Sequence, residues 1–306
     1  MKKAFSLIEV IFVLVILGIV ASISSQIIVQ VYESYITQQA VYKVSTKTEL
    51  AINQIVNRLT YSVIDSAIAK DPTDSTNYKL LKNLDPLDPN LTILEWIGYD
   101  TDSFSAGSTP YWSGVANYAT ATKIMFDTPG SQLGKVDTII KNLSRNKVSL
   151  DGSVQLPAVI FRPRTSEGDD INGKCMGLVD NNTSCIYAVS ENNATGFLFD
   201  DIHKSKIITE RYQLAWSAYA LVPTLNSNGL YNINLHYNYQ PWENNETYDK
   251  NATSSLLISN VSVFKFAQSG GVIQLKLCAS EDIGQRNSTT GKPVYISTCK
   301  EKVIIR

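Results

Sequence analysis

The hydrophobic pattern of the chain begins as a block and then turns periodic. Residues 5–31 are a long apolar run with a single charge, Glu9. Such a run can cross a bilayer as a helix, for which about 20 apolar residues suffice. Beyond it, Val41, Val44, Thr48, Ile52, Ile55, Leu59 and Val63 recur at three- and four-residue steps, the period of one helix face. No proline precedes Pro72. The pattern predicts one helix over residues 5–69, roughly 95 Å long at 1.5 Å per residue. It is membrane-spanning over 5–31 and amphipathic after that, with its stripe laid on a globular domain. Ser22, Ser24 and Ser25, just after Gly18, are its weakest stretch. Lys70-Asp71-Pro72, Asp85-Pro86 and Asp88-Pro89 are turn chemistry that closes it.

Residues 70–200 mix short apolar pieces (93–97, 123–126 and 158–161) with Ser, Thr, Asn, Asp and Gly. They read as a loop-rich insertion with a few strands. The last third is more regular. Tyr212, Leu214 and Trp216 share a face, and Asn228-Gly229 marks a hairpin. Tyr231, Ile233, Leu235, Tyr237 and Tyr239 then alternate with polar residues, the two-residue period of a half-buried strand. Residues 256–266 form another strand, Gly270-Gly271 turns it, Ile273, Leu275 and Leu277 line the next, and 302–306 end the chain as a short strand. The expected fold class is α+β: a long N-terminal α-helix packed on a C-terminal antiparallel β-sheet domain over 70–306.

Composition agrees with a packed domain, at 44% hydrophobic and 18% charged residues. The formal net charge of -1 provides no global attraction to nucleic acid or anionic lipid. Lys2 and Lys3 precede the apolar run, so the positive-inside rule puts the amino terminus in the cytoplasm and everything after Val31 across the membrane. The cysteines suit an oxidising compartment. Cys175 lies near Cys185, and Cys278 near Cys299. Neither pair has metal-site spacing, so the reading is two local disulfides, 175–185 and 278–299; the two other pairings stay open.

The start, Lys2-Lys3-Ala4-Phe5-Ser6-Leu7-Ile8-Glu9, resembles the signal of type IV pilins and type II secretion pseudopilins. The resemblance implies that residues 1–4 are a cytoplasmic leader removed by prepilin peptidase between Ala4 and Phe5, that Phe5 is then N-methylated, and that Glu9 is the family's glutamate. Gly18 matches a glycine common in the family's anchor, whereas Ala4 stands where glycine is usual. The implied partners are prepilin peptidase, other pilins or pseudopilins, the inner-membrane assembly platform and inner-membrane lipid. The implied location is a single-pass inner-membrane protein with a periplasmic domain, found in a pilus or pseudopilus after assembly. A carboxylate inside an apolar segment costs on the order of 2.5–3.5 kcal/mol to insert. Pairing with the Phe5 amine of a neighbouring subunit offsets that cost and sets register. The competing readings are a plain anchor with a stray glutamate, or signal-peptidase cleavage after Ser22-Ile23-Ser24. Val261-Ser262-Val263-Phe264-Lys265-Phe266, followed by a glycine turn and another strand, is similar, though less specifically, to the C-terminal sheet of larger minor pseudopilins of the J type and of the pilin W family.

No phosphate-binding glycine loop, paired-histidine motif or nucleophile elbow occurs in the sequence. No enzyme activity, cofactor or metal is expected. His236 falls on the polar face of its strand and reads as a surface histidine. The acidic stretch 166–173 offers oxygens for calcium without the spacing of a known calcium loop, and reads first as a solvated turn. Asn182, Asn193, Asn245 and Asn251 each sit in Asp/Glu-x-Asn-x-Ser/Thr, similar to the extended acceptor of bacterial N-glycosylation; the alternative is an Asn- and Thr-rich surface. Three functions therefore compete. The first is a structural minor pilin or pseudopilin of a type II secretion or type IV pilus assembly. The second is a minor pilin of a DNA-uptake pilus, with Lys276, Lys292, Lys300, Lys302 and Arg306 as phosphate contacts, although the overall charge counts against nucleic acid. The third is a membrane-anchored carbohydrate-binding or enzymatic ectodomain using Trp112, Trp216 and Trp242.

Overall fold

A computed structural model describes residues 7–85, 88–162, 171–244, 246–287 and 289–305. A long N-terminal helix is followed by a domain rich in antiparallel sheet, an α+β arrangement. Helix α1, Leu7–Thr60, runs unbroken through the serines after Gly18. Its second half buries Ala40, Val44, Thr48, Ala51, Ile52, Ile55 and Leu59. Val41 is exposed instead: once Val44 and Thr48 face inward, the position four residues earlier is Ala40.

The helix ends at Thr60, well before the expected 69. The Thr60 hydroxyl donates to the Val56 carbonyl (2.8 Å) and the Ser62 hydroxyl to the Leu59 carbonyl (2.6 Å). The Ser62 hydroxyl thus satisfies a last-turn carbonyl, whereas the Thr60 bond is back-bonding within the helix. The chain is then captured by pairing: Val63 N–H donates to Ile97 O (2.8 Å), and Tyr99 N–H to Tyr61 O (3.0 Å). Val63 is thus buried, as its spacing suggested, but outside the helix.

The first sheet has eight strands: β1 (Ile68–Lys70), β2 (Tyr78–Leu80), β3 (Ile93–Gly98), β9 (Ser217–Leu225), β10 (Tyr231–Tyr239), β11 (Thr253–Ser269), β12 (Val272–Arg286) and β13 (Pro293–Ile305). Their order is β13-β12-β11-β10-β9-β3-β1-β2, antiparallel throughout. Ile233, Leu235, Ile273, Leu275, Leu277 and Ile304 from this sheet meet Val44, Ile52, Ile55 and Leu59 of α1 in one core. Each large apolar side chain so buried stabilises by roughly 1.5–3 kcal/mol. The expected alternation along β10 breaks at Asn238, which takes φ 59 at a register shift. Asn tolerates that left-handed conformation, and Asn238, Tyr239 and Gln240 are consequently all buried. The closing strand is also longer than residues 302–306: it begins at Pro293.

The described residues of 99–216, inserted between the neighbouring strands β3 and β9, hold more regular structure than the loop-rich reading expects. They hold α2 (Thr101–Phe104), β4 (Met125–Asp127), α3 (Leu133–Ser144), β5 (Ala158–Phe161), β6 (Tyr187–Asn193), β7 (Gly196–Phe199) and β8 (Tyr212–Ala215). The strands form a second antiparallel sheet, β4-β7-β6-β5-β8. Phe126 is its hub, with ring centroids 5.3–5.4 Å from Phe161, Phe197, Phe199 and Tyr212, a spacing at which aromatic pairs attract. Leu133, Val136 and Ile140 of α3 close this core. A third cluster, including Ile97, Met176, Ile186, Tyr239 and Trp242, joins the two sheets.

Candidate functional site

The two halves of α1 have opposite environments. From Leu7 to Val31 its large apolar side chains are exposed, and the domain covers none of this segment. An uninterrupted apolar surface of this extent marks a contact with membrane or with other protein. Glu9 lies in the first turn of α1 and is exposed. A carboxylate there also complements the positive end of the helix dipole. Gly18 has open space where a Cβ would stand, so nothing within this chain requires glycine at that position. Ala4 and Phe5, the expected cleavage site, lie outside the described residues, as do Lys2 and Lys3.

The second half of α1 is clamped to the sheet edge by charge as well as by apolar packing. Glu49 meets Lys302 at 2.9 Å and Lys300 at 3.5 Å. The hydrogen bond from Lys302 is the main cause of the lowered Glu49 pKa. Glu281 of β12 meets Lys47 at 3.6 Å and also pairs with Lys43. The arrangement is a fixed domain carrying a projecting apolar rod.

The disulfides are Cys175–Cys185, with Cα atoms 5.4 Å apart, and Cys278–Cys299, at 4.0 Å. Cys278 and Cys299 are direct partners in the β12–β13 register, so the second bridge staples the edge hairpin that holds α1. Each closed loop contributes about 3 kcal/mol in the chain-entropy model. The 175–185 loop packs tightly against its surroundings. A Cβ on Gly177, at φ 84, would stand 2.4 Å from Pro241 O, which is why the loop carries glycine there.

The other sequence candidates fall into distinct environments. His236 is half-buried, not a surface group: Nδ1 is 2.8 Å from Tyr248 O and Nε2 is 3.4 Å from Ser254 Oγ. It joins a loop to the sheet. Trp112, Trp216 and Trp242 are buried; the indole N–H groups of Trp112 and Trp242 donate to Asp100 O and Leu156 O. They pack in the core, and only Trp242 also reaches a cleft wall, so the three do not form an exposed stacking platform for sugar. Lys276 pairs with Glu301 at 2.6 Å, and Lys300 and Lys302 are held by Glu49, so three of the lysines considered for phosphate contact are engaged within the chain. Arg306 lies outside the described residues, and so do Asn245 and residues 166–170 of the acidic stretch. Asn193 is exposed at the β6–β7 turn, where its Oδ1 accepts from Thr195 N–H (2.9 Å); Asn251 is exposed with Nδ2 donating to Glu246 (3.0 Å); Asn182 is half-buried. Among the described residues no group of three or more His, Cys, Asp or Glu is placed to hold a metal.

A cleft beside β6 and β7 was not visible in the sequence. Its walls include Tyr187, Phe199, Asp200, Lys204, Trp242 and Glu243. Burial pushes the Lys204 amine down to about 8 and the Glu243 carboxyl up to about 7. The amine donates to Ile186 O (2.8 Å) and Thr183 Oγ1 (3.0 Å), and also to Thr183 O. With those bonds made the amine acts as a structural strut.

Asp100 is the clearest buried acid. It caps α2, accepting from Ser103 N–H at 3.1 Å and from the Ser103 hydroxyl. Burial nevertheless raises it from 3.8 to about 6, against those bonds. The folded state therefore holds this proton more tightly than the unfolded chain. Its contribution to stability is full below the unfolded value and is lost as pH rises through the folded one. Asp100→Asn keeps the cap without the charge. It is expected to add on the order of 2–3 kcal/mol at about pH 8 and almost nothing near pH 4. Melting temperatures of both proteins at the two pH values check this; an equal shift at both is the contrary result.

A family model of the prokaryotic N-terminal methylation motif matches residues 1–25. No curated protein matches the chain, and no solved structure matches it. The chain thus carries a prepilin-type, type IV pilin-like signal, which overlaps the start of a helix long and apolar enough to cross a membrane.

Proposed function

We propose that this chain is a structural subunit, a minor pilin or pseudopilin of a type II secretion or type IV pilus assembly. Its N-terminal helix is anchored in the inner membrane and its domain faces the periplasm before assembly. The observation that carries the reading is the exposed apolar half of α1, headed by Glu9 and fixed at its other end to a rigid domain. The methylation motif over the same residues supports it. A free monomer gains nothing from such a rod. A membrane and then a bundle of like helices would bury it. Size argues for a low-abundance subunit: a large domain, with a second sheet added between β3 and β9, would crowd a tightly wound filament. The role needs no catalytic group. The internal pairing of Lys276, Lys300 and Lys302 weighs against a DNA-uptake role.

Processing tests the proposal. Expressed with a prepilin peptidase, the mature chain is expected to begin at Phe5 with a methylated amine. Amino-terminal sequencing and intact mass read this directly. A mature terminus at Met1 or Ser25 overturns the pilin reading.

A further inference from the structure

One element of the domain reaches back toward the anchor. The β12–β13 hairpin runs beside α1, and its successive partners give its direction. Lys302 and Lys300 meet Glu49. Farther along, Glu281 meets Lys47 and Lys43. Farther still, Gln285 shares a groove with Gln30, Glu33, Ser34, Thr37 and Gln38. The spacing is self-consistent. Glu281 to Gln285 is about 13 Å of strand at ~3.3 Å per residue, or about nine residues of helix at ~1.5 Å each. Nine residues before Lys43 and Lys47 are positions 34 and 38, where Gln285 is found. The turn beyond, with Arg286, Asn287 and residues 289–292 described, therefore lies level with the helix near residues 30–33, and the apolar run ends at Val31. That run spans roughly 40 Å as helix. The hydrocarbon core is about 30 Å thick, with a headgroup layer of several ångströms on either side. When α1 crosses a bilayer, the turn stands at the headgroups.

The chemistry of the turn fits that layer. Residues 283–300 contain no Asp or Glu. Arg286 and Lys292 are exposed, and neither forms an ion pair among the described residues. The turn is internally braced: the Asn287 side chain accepts from Thr289 and Thr290 N–H (3.0 and 2.9 Å), and Asn287 N–H donates to Lys292 O (2.9 Å). Tyr32 and Tyr35, at the same level of α1, are exposed, and tyrosine favours the membrane interface. We propose that the β12–β13 turn is a second membrane contact, in which Arg286 and Lys292 meet anionic phospholipid headgroups where α1 leaves the bilayer. With two points of attachment, the rod could not swivel freely beneath the domain, and the domain would be presented to the assembly machinery in one orientation. The inference rests on α1 being a membrane anchor.

The full chain is placed in nanodiscs of phosphatidylcholine alone or with phosphatidylglycerol, and in detergent. Amide hydrogen exchange is followed over residues 284–293. The expected result is several-fold slower exchange in the phosphatidylglycerol discs, lost in phosphatidylcholine discs and in the double variant Arg286→Gln/Lys292→Gln. Equal exchange in all three settings, or slowing that is indifferent to lipid charge and to the double variant, overturns the proposal while leaving the anchor intact. Failure of the chain to co-elute with discs overturns the anchor reading and this inference together.

Discussion

Glu95→Gln is expected to lower the unfolding free energy of the domain by about 3–5 kcal/mol, because it strands a buried cation. Glu95 sits in β3 with a side chain 2% exposed, and Lys70 of β1, 10% exposed, lies 2.5 Å away. Tyr239 of β10 donates to the other carboxylate oxygen at 2.7 Å. Burial, and then the Glu95 charge, hold the Tyr239 phenol well above its usual range. Lys70 also donates to Leu178 O at 2.5 Å, so the group ties β1, β3 and β10 to the loop closed by Cys175 and Cys185. In the variant the ammonium keeps that carbonyl and the Tyr248 ring, 5.9 Å away, but loses its counter-charge. Glu95→Leu/Lys70→Met removes both charges and should recover most of the loss, since replacing a whole buried pair by apolar groups is often close to neutral. Denaturant unfolding of the three proteins decides the matter. A Glu95→Gln cost below about 1 kcal/mol, or a double variant worse than the single, would mean that the pair is not buried as described.

Nothing local in the sequence marks that group. Lys70, Glu95 and Tyr239 are far apart along the chain and meet only once the sheet is assembled. The features that were legible are those written in short-range pattern. The α1 stripe is one, because its period is set by neighbouring turns; it erred only where Ala40 replaced Val41 and where the pairing of residues 61–63 with residues 97–99 took over after Thr60. The alternating strands of the last third are another. Ile233 and Leu235, and Ile273, Leu275 and Leu277, face the core as their spacing implied. The cysteine pairs are a third. The middle of the chain was illegible for a physical reason. Several of its strands, such as β4, are only three or four residues long, too short to display a period. Their stability comes from Phe126, Phe161, Phe197 and Tyr212 converging from distant positions. Trp112, Trp216 and Trp242, which only the third reading used as a platform, are a similar case: nothing in their immediate neighbours shows that a core encloses them. The candidate assembly segment was easier to recognise than the domain, because it is linear and its chemistry lies in adjacent residues.

Glu9→Val is expected to leave leader cleavage and membrane insertion intact and to abolish or severely reduce incorporation of this subunit into a filament. Insertion should even become easier, since the change removes an acidic group from an apolar segment. The domain should be unaffected, because Glu9 is separated from the clamp at Lys43, Lys47 and Glu49 by the whole exposed half of α1. What changes is the interface between rods. In the proposed assembly the carboxylate faces the methylated amine of a neighbouring Phe5. Valine would leave that neighbour's cation among apolar helices, where removing one member of a charge pair costs several kcal/mol; each 1.4 kcal/mol is a tenfold change in the association constant. A subunit at the filament tip lacks one neighbour and would show a smaller defect than one within the shaft. The measurement is crosslinking or co-purification of Glu9→Val with its partner pilins at matched expression, beside the secretion or pilus output of the same cells. Normal incorporation together with normal output would show that Glu9 does not set register between subunits, and the carboxylate would then have to be explained by its place in the first turn of α1 alone.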